Sequence, residues 1–315
     1  MRFLLGLTVV LALLYGGYWV VGRTAKDAAL DTAILQLREA GWQVETDGIS
    51  TRGFPSRFDT TFAAPRLVAP SGRVAWEAPW AQLLAVSYLP NRAILALADE
   101  QTLTLDGQPL RIATRDMRAS VRVAPAPSLP LETVTVEAGP TALTGAVGEA
   151  RLGRLLAALR EGAEPGSYDL FLEATQIELP FEAGALGRSL PQLRLDGTLT
   201  LDTVLDRHAV APSPVALSLR ELRATWGPST AVLSADLAWT DGAAAGPVRL
   251  EVTGWEALLD GLAQAGLIDP VAAGRLAPMI RLAGGGADDV SLEFEARDGA
   301  LYYGPFPVWS FAPVD

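Results

Sequence analysis

From about residue 41 onward, apolar and polar residues alternate in one short segment after another. In Met117 to Val123, Met117, Ala119, Val121 and Val123 share one side, and Arg118, Ser120 and Arg122 share the other. The same period of two returns in Leu217 to Arg220, Leu233 to Trp239, Val248 to Val252 and Val290 to Glu295. Successive side chains of a strand point to opposite faces, so each segment reads as a strand with one dry and one wet face. Strands of a parallel sheet are covered on both faces and read as unbroken apolar runs, so the alternation predicts antiparallel sheet. Asp-Gly pairs at Asp47-Gly48, Asp106-Gly107, Asp196-Gly197, Asp241-Gly242 and Asp298-Gly299 agree with this. Both residues tolerate the positive φ of a tight hairpin turn.

The N-terminus has a different character. Phe3 to Val21 carries no charge, opening after Arg2 and closing before Arg23 and Lys26. As a helix rising ~1.5 Å per residue it covers roughly 28 Å, close to the ~30 Å of a bilayer core. Residues 1–22 are therefore a membrane anchor or an export signal. The exit, Tyr15-Gly16-Gly17-Tyr18-Trp19-Val20-Val21-Gly22, offers no A-x-A-like cleavage site, and its aromatic rings suit the headgroup level, so an uncleaved anchor is expected. Residues 23–40, with Ala25, Ala28, Ala29, Ala33, Ile34 and Leu37 at mostly helical spacing, read as a helical stalk stopped by Gly41. A short N-terminal flank ahead of a long domain predicts a single-pass membrane protein with its N-terminus in the cytoplasm and its body outside.

Two stretches break the strand pattern. Leu152, Leu155, Leu156 and Leu159 form a stripe opposite Arg151, Arg154 and Arg160, predicting a helix over Glu149 to Glu161. Trp255, Leu258, Leu259 and Leu262 form another. Asp269-Pro270 then supplies an N-cap and a first-turn proline for a further short helix within Trp255 to Ala283. The fold class expected is mainly β (α+β): an N-terminal transmembrane helix and stalk, then a large curled antiparallel sheet with two short helical insertions. The body, 41–315, divides in this reading into two similar halves, 41–165 and 166–315.

Composition excludes much chemistry. The chain has no cysteine, which removes disulfides, thiol nucleophiles and thiolate metal sites. His208 is the only histidine and lacks a ligand partner at helical spacing, so no metal site is expected. The net charge of −11 argues against nucleic acid as a partner. There is no nucleophile elbow, phosphate loop or dinucleotide fingerprint. Carboxylates alone could serve a glycosidase pair, yet no spacing nominates one. No catalytic residue, no cofactor and no enzyme activity are expected.

A family resemblance rests on the order of several short motifs. These are Gly41-Trp42, Gly53-Phe54-Pro55-Ser56-Arg57-Phe58, Trp226-Gly227-Pro228, Gly246-Pro247 running into Val252-Thr253-Gly254-Trp255, and Asp298 to Pro307. Together they make the chain resemble the bacterial envelope family called domain of unknown function 2125 over nearly its whole length. More distantly, the Gly-Phe-Pro-x-Arg-Phe element is similar to AsmA-like envelope proteins. The resemblance implies a bacterial envelope protein with an N-terminal signal or anchor and no assigned activity. The AsmA-like likeness implies a β-rich groove that handles lipid.

The alternating segments nominate a groove. Phe54 and Phe58 share strand parity, and so do Leu233, Leu237 and Trp239, Leu250 with Val252, and Leu292 with Phe294. A curled sheet would bring Phe54, Phe58, Leu233, Leu237, Trp239, Leu250, Leu292 and Phe294 to one apolar lining fit for acyl chains. The helices are too short to cover so many strands, which favours a lipid-binding or lipid-transfer module with the membrane as partner. The alternative is a non-enzymatic scaffold whose edges dock other envelope proteins. The tail from Leu301, with Pro305, Pro307 and Pro313, cannot be a central strand and is expected to cover an edge or a mouth.

Overall fold

The computed structural model describes residues 2–89, 91–209, 211–240, 242–284 and 286–310; the side chains of residues 2–9, 12 and 283 lie outside the described set. Strands account for 54% of the chain, which makes it mainly β, with three α-helices among the described residues. Every described strand pairing is antiparallel. Two compact units form: Met1–Val123 with Leu143–Ala146, and Ala124–Ala142 with Val147–Asp315. The main division thus falls after Val123 and not at 165.

The first unit is a meander of five strands, each interrupted midway. The halves are Gln43–Glu45 and Gly48–Arg52, Arg57–Ala63 and Arg66–Val68, Val74–Glu77 and Trp80–Val86, Arg92–Leu97 and Glu100–Leu105, and Gln108–Thr114 and Arg118–Val123. Pro65 and Pro79 stand in two of the breaks, where a missing N–H would otherwise leave a gap in a ladder. Ala64 adopts φ 43° there. The ladder continues across the break because Ala64 N donates to Pro79 O at 2.9 Å and Ala78 N to Pro65 O at 3.2 Å. The sheet is interrupted without ending.

Helix α1 runs unbroken over Arg2–Glu39. It stops where expected: Gly41 has φ 88°, and Trp42 N donates to Leu37 O at 3.0 Å. The stalk is not free-standing, however. Trp19 is 7% exposed, its Nε1 donates to Arg57 O at 2.9 Å, and its ring stacks on Phe58 with centroids 5.8 Å apart. A Cβ at Gly22 would come within 2.9 Å of the Phe58 ring, so glycine permits this approach. One turn on, Lys26 Nζ donates to Phe58 O at 2.8 Å and Thr60 Oγ1 at 2.6 Å, while Thr51 donates to Asp27 at 2.9 Å. Burial pushes the Lys26 ammonium below its usual range, opposed by Asp27 and Asp59. Among the described residues no helix is long and apolar enough to cross a membrane. Much of the run expected to do so, residues 3–9 and 12, lies outside the described side chains.

The second unit is a longer meander in chain order: Leu131–Ala138, Arg154–Glu161, Ser167–Glu178, Ser189–Leu201, Pro214–Trp226, Ser229–Thr240, Ala243–Thr253, Asp289–Arg297, Ala300–Tyr303 and Phe306–Ser310. The helix expected over Glu149 to Glu161 is a correction: this stretch forms the strands Gly148–Leu152 and Arg154–Glu161. Its leucines fit both periods, since Leu155, Ala157 and Leu159 also alternate. Pairing on both sides, Leu155 to Ala138 and to Ala174, overrides the high helix propensity of Leu, Ala and Arg. Two Asp-Gly pairs make hairpins: Asp106-Gly107 joins Leu105 to Gln108, and Asp298-Gly299 joins Arg297 to Ala300, with positive φ throughout. Thr240 pairs with Ala243 in the same way, although Asp241 lies outside the described residues. Asp196-Gly197 instead sits at a bulge within a strand, and Asp47-Gly48 at a strand break.

Tyr168 anchors this sheet. Its side chain is 1% exposed and its hydroxyl accepts the Leu205 N–H at 2.7 Å. Tyr168→Phe leaves that N–H without its acceptor and is expected to cost about 1–3 kcal/mol, read as a lower urea midpoint at unchanged m-value.

Candidate functional site

Between the strands Ala243–Thr253 and Asp289–Arg297 the chain leaves the sheet to make helices α2, Trp255–Gln264, and α3, Pro270–Ala283. Asp269 caps α3 as its position before Pro270 predicts, accepting from Val271 N and Ala272 N at 2.8 and 3.0 Å. α2 enters through Gly254, at φ 64°, and Trp255 Nε1 donates to Ala287 O at 3.1 Å. These bonds hold the helix pair against one face of the sheet.

That face is apolar because of strand period and register. Leu250 stands opposite Leu292, Val252 opposite Val290, and Val248 opposite Phe294, while Leu233 pairs with Leu250 from the other side. The intervening residues face the other way, where Arg249 meets Glu293 at 2.7 Å. Val252, Trp255, Leu259, Ala273, Val290 and Leu292 form a buried cluster joining helices to sheet. The helices do not fill the space above the strands. A cavity of about 350 Å³ remains, and among the described residues every side chain lining it is aliphatic, aromatic or methionine. Two lining residues, Met279 and Trp309, are 42% and 68% exposed and so mark its mouth.

The nominated residues divide. Leu233, Leu250, Leu292 and Phe294 line this cavity. Leu237, on the Leu233 face, packs instead with Leu219, Ala235 and Ala296. Trp239 is half-buried near the strand end, opposite Ala244. Phe54 and Phe58 are a correction. They belong to the first unit, where both rings pack on Trp19 of α1. Shared strand parity could not reveal this, since Phe54 lies in a turn and the helix supplies the partner. The tail departs in part from its expected role: Leu301–Tyr303 belong to a strand paired on both sides, and Pro313 lies outside the described residues. Phe306–Ser310 is the last described strand, Pro307 stands in it, and Val308 and Trp309 reach the cavity.

Trp255, Leu258, Leu259 and Leu262, the apolar stripe of α2, all line the cavity. Leu276, Met279 and Ile280 of α3 were missed, although their i, i+3, i+4 spacing is the signal that finds such a face. Among the described residues no carboxylate, imidazole or aliphatic hydroxyl lines the cavity, and the Tyr303 ring packs at 5.8 Å from that of Phe294. Among the described residues no cluster of three or more His, Asp or Glu is arranged to hold a metal. What the arrangement can do is take an apolar group out of water.

A bacterial family described as an uncharacterized protein conserved in bacteria, DUF2125, matches residues 19–311. The chain belongs to this family. The DUF2125 match runs from the docked turn of α1 through both units to the strand at the cavity mouth. No curated protein and no solved structure matches the chain, so the likeness to AsmA-like proteins is not confirmed.

The helix-covered side and the solvent face of the sheet respond differently to substitution. Leu259→Ala, on the buried side of α2 at 9% exposure, is expected to cost about 2–5 kcal/mol in thermal denaturation by enlarging the cavity. Arg249→Ala, in an exposed pair, should cost about 0–1 kcal/mol in the same thermal denaturation.

Proposed function

We propose that this bacterial protein binds lipid or another long apolar ligand in the cavity beneath α2 and α3, and does so as a non-enzymatic envelope protein held at the inner membrane by α1. The observation that carries the reading is the wholly apolar lining of a cavity with an open mouth. Its volume of about 350 Å³ is within the roughly 300–1,000 Å³ typical of ligand pockets. Ten methylenes moved from water to such a lining contribute about 8 kcal/mol before ordering and association costs, so affinity needs no polar contact. The uncharged run Phe3 to Val21 supports the anchor, and a body placed in the periplasm would meet lipid from the same membrane.

The full-length protein in vesicles, titrated with a brominated long-chain fatty acid, tests this. Trp255 and Trp309 line the cavity, so their fluorescence is expected to be quenched, with less loss in Trp255→Phe. Adding bulk inside with Leu250→Phe and Ile280→Phe should abolish saturable quenching while circular dichroism stays unchanged. Equal quenching in the filled variant would defeat the binding reading and leave a scaffold.

A further inference from the structure

We infer that one end of the first unit, the rim made by Tyr15, Tyr18, Phe54, Tyr88 and Leu89, is seated in the headgroup layer of a phospholipid bilayer, which rests on the anchor reading above. The first observation is how early α1 meets the sheet. The Tyr15 hydroxyl lies 3.1 Å from Ser87 Oγ, Tyr18 donates to Ser87 O at 2.6 Å, and Trp19 donates to Arg57 O at 2.9 Å. The apolar run is thereby split. Residues 3–14 extend beyond these contacts, and at ~1.5 Å per residue they cover roughly 18 Å. A bilayer core is about 30 Å thick, so they cannot cross it alone. The remainder must come from the next turn, where the core gives way to headgroups, and there Tyr15, Tyr18 and Trp19 are hydrogen-bonded to Ser87 and Arg57, beside the turns that carry Phe54 and Tyr88. Whatever depth the helix reaches, that rim goes with it.

The second observation is the rim's chemistry. Phe54 is 62% exposed, Tyr88 66%, Tyr18 50% and Leu89 40%, beside a buried Trp19. The Phe54 ring meets Trp19 edge-on at 5.4 Å, which holds it at the helix and not in the core. Amphipathic rings of this kind settle at the membrane–water boundary. The first cations after the run, Arg23 and Lys26, follow within about two turns, on the side where phosphates end and water begins. A protein partner would not account for an uncharged helix continuing straight out of the same rim; a bilayer does.

The absence of cysteine makes the test direct. Single variants Leu11→Cys, Phe54→Cys, Tyr88→Cys and Leu105→Cys of the full chain are nitroxide-labelled in vesicles of phosphatidylethanolamine and phosphatidylglycerol. All four positions are exposed, so folding should persist, with circular dichroism as the check. Leu105 pairs with Val74 at the far end of the strands and serves as the aqueous control. Labels at 11, 54 and 88 are expected to lose relaxation by a water-soluble nickel chelate while gaining it from oxygen, and the label at 105 is not. Shielding at 11 with 54 and 88 as accessible as 105 overturns the seat and leaves the anchor standing. Accessibility at all four removes the anchor and the seat with it.

Discussion

A sheet whose strands alternate dry and wet residues has one whole face that must be kept from water, and the architecture of the second unit follows from how that is done. The wet face needs nothing more, since pairs such as Arg249 with Glu293 and Arg160 with Asp169 simply stand in solvent. The Arg160 and Thr198 side chains hold the Asp169 carboxyl below its usual range, a modest effect at an exposed site. The dry face is met in two ways. Toward the middle of the meander, Leu219, Ala235, Val248 and Ala296 pack with neighbours on the same face, as a twisted sheet allows. Beside the last strands the chain inserts α2 and α3 as a cover.

The cover fits closely at one edge and loosely at the other. Where α2 approaches the loop at Ala183 and Leu186, a Cβ at Gly261 would come within 2.4 Å of the Leu186 side chain, so only glycine lets the helix lie this close. Ala183 is 0% exposed there and Trp226 Nε1 reaches Gly187 O at 3.1 Å. Toward α3 and the last strand the packing opens into the cavity. Interiors ordinarily close such space, because each lost contact and each unfilled volume weakens the fold. An open, apolar gap beside α3 is therefore a feature with a cost, which a ligand would offset.

The first unit solves the same problem with α1. Its sheet is interrupted at Pro65 and Pro79 and receives the helix through Trp19 on Phe58 and through the Lys26 contacts to Thr60. The polar bonds matter here as much as the rings: Thr60 is 0% exposed, and its hydroxyl is satisfied by Lys26 and Thr51. Helix and sheet are thus locked in one register, so the apolar N-terminal run leaves from a defined end of the strands.

The sequence by itself determined what depends on neighbours along the chain: strand alternation, the hairpins at Asp106-Gly107 and Asp298-Gly299, the stop at Gly41, the Asp269 cap and the edge placement of Pro307. Each is a local steric or hydrogen-bonding preference, readable over a few residues. It also supplied four of the cavity residues, because period two assigns a face. Tertiary structure decided which strands that face belongs beside. Register alone placed Leu250 against Leu292 and left Leu237 with another cluster. Pairing on two sides turned Arg154–Glu161 into a strand despite a helical stripe, and docking against Trp19 drew Phe54 and Phe58 away from the groove. These outcomes depend on contacts between residues tens of positions apart, where burial and backbone pairing outweigh local propensity.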